Sequence, residues 1–552
     1  MQTGSNRMKV LIVGAAAGGT KVGAKLKREL GKDTEIHIIT KSDYVAYHAC
    51  AIPFYLNGMV PSFDSLIDGS PEDYAAIADV ELSTGIEAVK LDRSSKTVYA
   101  TELKTGKPVS FTYDKLVITT GSRPVIPPAL ETGLQNVFVL REPDDAVRIK
   151  AAIDAGGIRR AAVVGGGIVG VQVAAALSSQ GIRTCIIGSA AHILPGFDAD
   201  MADYIENQLS ELGIPVLSGD AVERLEGEGK VEKLRTSKRA VKADMVILAA
   251  GVQPNTEWLS GSGIITSENG AVIVDDYFRT NDPDIYSCGD CALMKNKVTG
   301  DAQWTSSGSL ANIEGRLLAK AISGSASHGF HGVLGTDILS LPTINAGKTG
   351  LGIDEAKAGG FDAECVTITT DDKAKYYPGK APYIIRMVAE KSSRKLLGIQ
   401  VIGKGNIDKL IDIAATALTL GATLDQIEDT NFAHAPAFST PVHPFAIAVY
   451  TLQNKLDGNL KGGTYQALNI DDSWTIIDAG KTQVIPQLRH VGVQSVNGQV
   501  TDIPFDSKVA ILCAGGRWSY LTEDRMRRYG YSDVHSIEGG SVFNYEIENK
   551  YK

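Results

Sequence analysis

Two glycine-rich turns carry the strongest chemical signal in the chain. Gly165-Gly166-Gly167-Ile168-Val169-Gly170 is a full G-x-G-x-x-G between the β-branched run Ala161–Gly165 and the helical stretch Val171–Gln180. Glycines at that spacing permit a tight strand-to-helix turn and let N–H groups at the helix N-terminus approach a pyrophosphate. Gly165, Gly167 and Gly170 are therefore expected to hold a dinucleotide. An earlier turn, Gly14-Ala15-Ala16-Ala17-Gly18-Gly19, places Ala16 where the middle glycine would stand, and a methyl group there still allows a close approach. Asp290 closes the strand-like run Ile285–Asp290, where its carboxylate could bond a ribityl hydroxyl, so this turn and Asp290 together point to a flavin dinucleotide. The six cysteines, Cys50, Cys185, Cys288, Cys291, Cys365 and Cys513, are few and scattered. Such usage suits a reducing compartment, and any one that matters does so by reactivity.

The elements that position these residues recur along the chain. Lys9–Gly14 reads as a strand and Thr20–Leu30 as a helix, so there are two nucleotide-type βα units about 150 residues apart. Lys115–Gly121, Met245–Gly251 and Ile285–Asp290 look like closing strands that end at small-residue corners. Strands Tyr383–Val388 and Lys395–Ile402 with a long helix Ile407–Leu420 make an α+β domain, Thr451–Gly463 reads as a linker, and a last domain of about 90 residues has strands Thr475–Asp478 and Val509–Cys513 and a helix Tyr520–Tyr529. The 552 residues suffice for about three to five domains. With 43% apolar and 22% charged residues the composition is that of folded protein, and the net charge of −9 argues against a nucleic-acid partner. No run approaches the length of a membrane span, and Met1–Val10 has no apolar signal core, so a cytoplasmic location is expected.

The segments GAAAGGTKVGAKLKR, YHACAIPFY, YDKLVITTGSRPVIPP, AAVVGGGIVG, ADMVILAAGVQPNTE, TNDPDIYSCGDCA, GVLGTD, YYPG and FAHAPAFSTP run in order from about residue 8 to 450. In them the chain resembles the single-cysteine flavin disulfide reductases: coenzyme A disulfide reductases, persulfide reductases and NADH oxidases. The resemblance implies a homodimer with an FAD domain in two pieces (8–155 and 280–331), an inserted NAD(P)H domain (156–279), and a dimerisation domain (332–450). A linker (451–463) and a last domain (464–552) follow. It also implies cofactor contacts from Gly14, Ala16, Gly18, Gly19, Thr40, Thr120, Gly121, Arg123, Asp290, Gly188 and Gly251. Hydride passes from NADH or NADPH to FAD and electrons reach Cys50, held as a mixed disulfide, persulfide or sulfenate. Cys50 lies in a helix-starting segment, where a thiolate is stabilised. No second cysteine stands near it, so a bound external thiol supplies the partner sulfur.

Departures from the family pattern define the open questions. In its S-F-x-N-C signature, Ala46 and Ala49 replace serine and asparagine, and His48 stands between them. The usual tyrosine from the partner subunit is replaced by His434, an acid or base near neutral pH, with Tyr376 or Tyr377 as a second hydroxyl. Lys21, Lys25 and Arg28 share a helix face suited to the phosphates of coenzyme A. The lysine expected after Ser70-Pro71-Glu72-Asp73-Tyr74 reads Ala78. Thr40 replaces a glutamate in the FAD half, and Ile187-Gly188-Ser189-Ala190 carries no acid for a nicotinamide ribose, so NADH and NADPH both stay open. Cys288-Gly289-Asp290-Cys291 fits C-x-x-C, but its place at the flavin strand end argues against a metal.

The last domain resembles rhodaneses through Cys513-Ala514-Gly515-Gly516-Arg517-Trp518-Ser519, Gly530–Val534 and Glu538-Gly539-Gly540. It departs at Trp518, where an arginine is usual, and at Asp478-Ala479-Gly480 in place of D-V-R. The implied fold class is α/β, with two Rossmann-like dinucleotide-binding domains, an α+β dimerisation domain and a rhodanese-like α/β domain. The expected function is NAD(P)H-dependent reduction of a coenzyme A disulfide, persulfide or polysulfide through Cys50, with Cys513 handling sulfane sulfur. An oxidase or peroxidase working through a Cys50 sulfenate, or a slow redox sensor, are the alternatives.

Overall fold

A computed structural model describes residues 7–551. They fall into two compact units: residues up to Leu194 with Leu209–Val333, and Pro195–Gln208 with the chain from Leu334 onward. The first unit contains β1 (Met8–Val13), α1 (Ala17–Leu30), β2 (Thr34–Ile39), β3 (Glu81–Ser83), β4 (Lys115–Ile118) and β5 (Val137–Val139). It continues with β6 (Arg160–Val164), α2 (Ile168–Ser179), β7 (Arg183–Ile187), β8 (Val216–Leu217), β9 (Met245–Leu248), β10 (Ile285–Ser287) and α3 (Gly308–Ser323).

Two five-stranded parallel sheets result, in the orders β10-β4-β1-β2-β3 and β8-β7-β6-β9-β5. The central strands are β-branched and buried almost throughout, as strands covered on both faces must be. In each sheet the first strand of a βα unit lies between the second strand and a later one, so its turn sits at the point where strand order reverses. That crevice, beyond the carboxyl ends of the strands, is where open α/β sheets bind ligands. Against the first sheet, α1 and α3 approach closely enough that a Cβ on Gly315 would lie 2.7 Å from the Gly18 carbonyl oxygen.

The second sheet corrects the expected boundary at residue 155. Val137–Val139 pairs in parallel with Met245–Leu248, so a strand from the segment assigned to the flavin half becomes the edge of the other sheet. Three partly buried residues carry too little pattern to announce that exchange.

In the second unit, β11 (Asp337–Ser340), β12 (Asn345–Gly350), β13 (Ala363–Asp371), β14 (Pro382–Glu390) and β15 (Leu396–Gly403) form an antiparallel sheet in the order β11-β12-β15-β14-β13, backed by α4 (Asp408–Leu420) and α5 (Pro444–Leu456). Helix α5 corrects the expected linker: Thr451–Leu456 are helical, because Val449, Leu452 and Gln453 continue its buried stripe. Beyond it, β16 (Thr475–Asp478), β17 (Arg489–His490), β18 (Lys508–Leu512), α6 (Arg517–Arg528) and β19 (Asp533–Ser536) build a four-stranded parallel sheet in the order β17-β16-β18-β19. This last sheet is fastened to β13: Glu538 accepts from the Thr367 N–H and from Lys455 Nζ, both at 2.8 Å, and Thr369 Oγ1 donates to the Gly539 carbonyl at 2.8 Å. Among the described residues, no helix is long and apolar enough to cross a membrane.

Candidate active site

The two glycine turns have the same geometry. A Cβ on Gly14 would lie 2.1 Å from the Thr119 carbonyl oxygen, and one on Gly165 would lie 2.1 Å from that of Ala249. Both glycines also have positive φ, +115° and +121°. A Cβ on Gly19 would collide with the Gly14 oxygen, as one on Gly170 would with the Gly165 oxygen, at 1.9 and 2.1 Å. These four glycines are required by the protein itself. Gly167 differs, since nothing lies within 4 Å of its Cβ position. Open space there leaves the approach of a ligand as the reason for a glycine, and Ala16, the exposed counterpart, adds only a methyl.

Helices α1 and α2 have Ala16 and Gly167 at their N-cap positions, with no side-chain cap and no acidic residue in the first turn. Their leading N–H groups and the positive ends of their dipoles are left for an anion. The Thr119 hydroxyl steadies the first turn by donating to the carbonyls of Val13 and Gly14. The features fit two dinucleotides, one at each turn.

Asp290 lies just past β10, buried, with one carboxylate oxygen, Oδ2, receiving every side-chain hydrogen bond it makes among the described residues. It accepts from Ser122 Oγ at 2.9 Å, from Arg141 Nη2 at 2.6 Å and from Ser306 Oγ, while Trp304 Nε1 donates to its backbone carbonyl at 2.8 Å. Beside it, the fully buried Glu314 of α3 accepts from the Gly289 N–H at 2.6 Å. Burial pushes the Glu314 carboxyl up to about 7, only partly offset by that hydrogen bond. The sequence reading missed Arg141, Ser306 and Glu314. A signal for Glu314 existed: it shares the buried stripe of α3 with Ala311, Gly315 and Leu318, an unusual place for an acid.

The remaining cofactor candidates have structural partners of their own. Thr40 is buried beyond β2, its backbone bonded to Ser83 and Ile86. Thr120 Oγ1 donates to the Asn255 carbonyl at 2.6 Å, and Gly121 has φ +67°. Arg123 bonds the Pro254 carbonyl at 3.1 Å and pairs with Glu257, so its charge is engaged where Ser122–Pro124 pairs with Val252–Pro254. A Cβ on Gly18 would make ordinary contacts with Cys288 Sγ at 3.5 Å, Thr119 Cγ2 at 3.7 Å and the Ala311 carbonyl oxygen at 3.8 Å, whereas Gly251 takes φ +107° in open space. Cys288 and Cys291 are buried, and burial pushes both thiols up.

Cys50 is exposed. It sits in the 3-10 turn Ala49–Ala51 that leads into the short helix Ile52–Leu56. The expected helix start is thus a single turn and five residues, a weaker electrostatic lever than a long helix provides. The segment is anchored at the first dinucleotide turn: the Ala46 N–H donates to the Ala15 carbonyl at 3.1 Å and the His48 N–H to that of Leu66 at 2.8 Å. Ala46 holds φ +49°, an unusual conformation for a non-glycine residue. His48 Nε2 lies 3.8 Å from Asp68.

On α1, Lys25 pairs with Glu29, while Lys21 and the exposed Arg28 make no ion pair among the described residues. The reading overlooked an acid four residues after Lys25. Tyr74 Oη donates to the Thr20 carbonyl at 2.5 Å, which holds the S-P-E-D-Y helix against the same face.

In the second unit, the Ala374 N–H donates to the Pro436 carbonyl at 3.2 Å, so the segments bearing Tyr376, Tyr377 and His434 meet. All three side chains are exposed. Cys513 is buried at the end of β18, and its sulfur accepts from the N–H groups of Gly516 at 3.1 Å and Ser519 at 3.3 Å. Ser519 Oγ stands 3.6 Å from that sulfur. That hydroxyl donates to the Gly516 carbonyl at 2.8 Å, so the two N–H groups are the donors aimed at the sulfur, an arrangement that suits a sulfur anion. Asp478, fully buried, shapes the neighbouring loop by accepting from the N–H groups of Gly480, Val484 and Ile485.

An α/β flavin oxidoreductase with a separate dimerisation domain is the class that this fold and site define. The chain belongs to the pyridine nucleotide-disulphide oxidoreductase family, whose sequence model matches residues 8–311; the model of the family's dimerisation domain matches residues 341–444. It is therefore an enzyme of a family that uses FAD and NAD(P)H. It is 30% identical over 450 residues to an NADH oxidase of Methanocaldococcus jannaschii, covering 81% of this chain and 99% of the relative. It is 29% identical over 448 residues to an NAD(P)H coenzyme A polysulfide/persulfide reductase of Pyrococcus horikoshii, with 81% and 99% covered. The crystal structure of reduced Bacillus anthracis CoADR-RHD superposes with a TM-score of 0.93 at 27% identity, over 99% of both chains.

Proposed function

We propose that the enzyme uses NAD(P)H to reduce a disulfide, persulfide or polysulfide of a coenzyme A-type thiol through Cys50, and that its last domain is rhodanese-like and carries sulfane sulfur on Cys513. The observation that carries this reading is the hydrogen bond from Ala46 to Ala15, which ties the segment of an exposed, unpaired cysteine to the first dinucleotide turn. Gly14, Ala16, Gly19 and Asp290 would hold FAD, and Gly165, Gly167 and Gly170 the nicotinamide nucleotide. Bound FAD supplies the two-electron relay between nicotinamide and thiol.

The Cys50 thiolate attacks one sulfur of the acceptor, forming an S–S bond while the other half leaves as a thiolate. Reduction of that bond by two electrons restores Cys50, and the net reaction consumes one NAD(P)H and one proton: a disulfide gives two thiols, a persulfide gives one thiol and hydrogen sulfide. His434 with Tyr376 or Tyr377, contributed by the partner subunit of a homodimer, would protonate the leaving sulfur, and Lys21 and Arg28 would hold the carrier's phosphates. At Cys513, the loop N–H groups would stabilise the sulfur anion before and after a sulfane atom passes to an external thiol.

Steady-state NAD(P)H oxidation with coenzyme A persulfide, polysulfide, coenzyme A disulfide and dioxygen, compared side by side, tests the reading. Cys50→Ser is expected to lower reduction of the sulfur acceptors at least about a hundredfold while NAD(P)H still bleaches the flavin. Full turnover in that variant refutes the role of Cys50. Preference for dioxygen over every sulfur acceptor would favour an oxidase.

A further inference from the structure

The inserted nucleotide domain has an unusual ribose edge. In a Rossmann unit the end of the second strand normally bears an acid that bonds the adenosine ribose hydroxyls and repels a 2′-phosphate. Here β7 ends at Ile187, followed by Gly188 and the exposed Ser189 and Ala190. The backbone does not demand that glycine: its φ is not positive, and a Cβ on it would meet only the Gly166 nitrogen, at 3.7 Å. Folding therefore leaves the missing carboxylate unexplained.

A cation has been brought to the same edge from another part of the chain. The Asp220 N–H donates to the Gly188 carbonyl at 2.9 Å and the Gly219 N–H to the Ala190 carbonyl at 2.6 Å, so these two stretches run side by side. Asp220 is 1% exposed and turned inward, accepting from Thr236 Oγ1 at 3.0 Å and Ser237 Oγ at 2.9 Å, with Arg239 Nε at 3.3 Å. It thereby pins the hairpin turn Thr236–Arg239, closed by the Thr236 N–H to Arg239 carbonyl bond at 2.8 Å, over Gly219. The turn carries Lys238, exposed, whose ammonium lies 3.7 Å from the Cβ position of Gly219 and makes no ion pair among the described residues. An acid is absent where a 2′-phosphate would meet repulsion, and an uncommitted cation stands beside that place.

We infer that this domain selects NADPH over NADH, with Lys238 and the Ser189 hydroxyl receiving the 2′-phosphate. The inference rests on the second glycine turn as the nicotinamide-nucleotide site but not on any acceptor.

Binding to the FAD-loaded enzyme tests it without turnover, by calorimetry with NADPH and NADH and with the fragments adenosine 2′,5′-bisphosphate and AMP. NADPH and the bisphosphate are expected to bind at least about tenfold more tightly than their unphosphorylated counterparts, as suits a hydrogen-bonded charge pair. Lys238→Ala should remove most of that preference while leaving NADH affinity unchanged. Gly188→Asp, which the backbone accommodates, should reverse the preference. Equal or tighter NADH binding by the unaltered enzyme, an equal loss for both nucleotides in Lys238→Ala, or no binding of either nucleotide overturns the inference. A failure of the proposed sulfur chemistry would leave these affinities as they are and would show only in the acceptor assays.

Discussion

Replacing Glu314 by glutamine should stabilise the first unit in a pH-dependent way. The wild-type carboxyl is fully buried, and its ionisation is raised from the ordinary 4.5 to about 7 by desolvation. A raised carboxyl means that the folded state binds the proton more tightly than the unfolded state does. Stability from this group is therefore complete below pH 4.5 and is lost as pH rises through 7. A shift of about 2.5 units corresponds to about 3 kcal/mol at pH 8. Glutamine keeps a carbonyl oxygen to accept from Gly289 and cannot ionise. Glu314→Gln should thus match the wild type near pH 4.5 and exceed it by about 3 kcal/mol at pH 8, on the order of 4–5 °C in melting temperature for a unit of this size. Urea unfolding of the flavin-free protein at both pH values, followed by a fluorophore in the first unit, measures the difference. A variant less stable than wild type at pH 8, or an unaltered pH slope, would refute the reasoning.

Three further outcomes are expected. His443 caps α5 by accepting from the Phe445 N–H at 3.2 Å, and burial followed by the nearby Lys409 charge lowers its ionisation to about 4; stability of the second unit should fall by up to about 3 kcal/mol as pH drops from 6.5 to 4, and His443→Asn, which keeps a cap, should flatten that loss in acid unfolding curves. Gly170→Ala forces a methyl 2.1 Å from the Gly165 oxygen and should cost about 3 kcal/mol or more, whereas Gly167→Leu should melt like wild type yet bind NAD(P)H at least about tenfold more weakly. On the proposed reading of the last domain, Cys513→Ser should abolish sulfur transfer from thiosulfate to cyanide while leaving NAD(P)H-dependent reduction of small persulfides intact; no such transfer by the unaltered protein would refute that reading.

The parts legible in the sequence were those written locally. Each βα unit is a β-branched run, a glycine turn and an apolar-striped helix in immediate succession, so β1, α1, β6 and α2 could be placed within a few residues. Thr475–Asp478 coincides with its strand for the same reason. What escaped depends on residues far apart in the chain. Arg141 reaches Asp290 across 149 positions and Ser122 across 168, and neither side chain has a local pattern that declares its partner. The edge strand Val137–Val139 acquires its meaning only from Met245–Leu248. The apparent linker failed differently: Asn454, Lys455 and Asp457 look like loop residues, but Leu452 and Leu456 prolong the helix, and Lys455 finds a buried acid in Glu538. On α1 the error lay in weighing cations without the nearby Glu29.

The fastening of the last sheet to β13 bears on why a shorter chain could not be obtained by simply cutting this one. Strand β13 is the outermost of its sheet, and a bare outermost strand is a template for pairing with other molecules. Here Glu538 occupies the Thr367 N–H and Gly539 engages the Thr369 hydroxyl, so the final ninety or so residues act as a sheath over an otherwise sticky margin. Truncation after α5 would also strand the Lys455 ammonium, whose burial alone would lower its ionisation but which Glu538 holds well above its ordinary range.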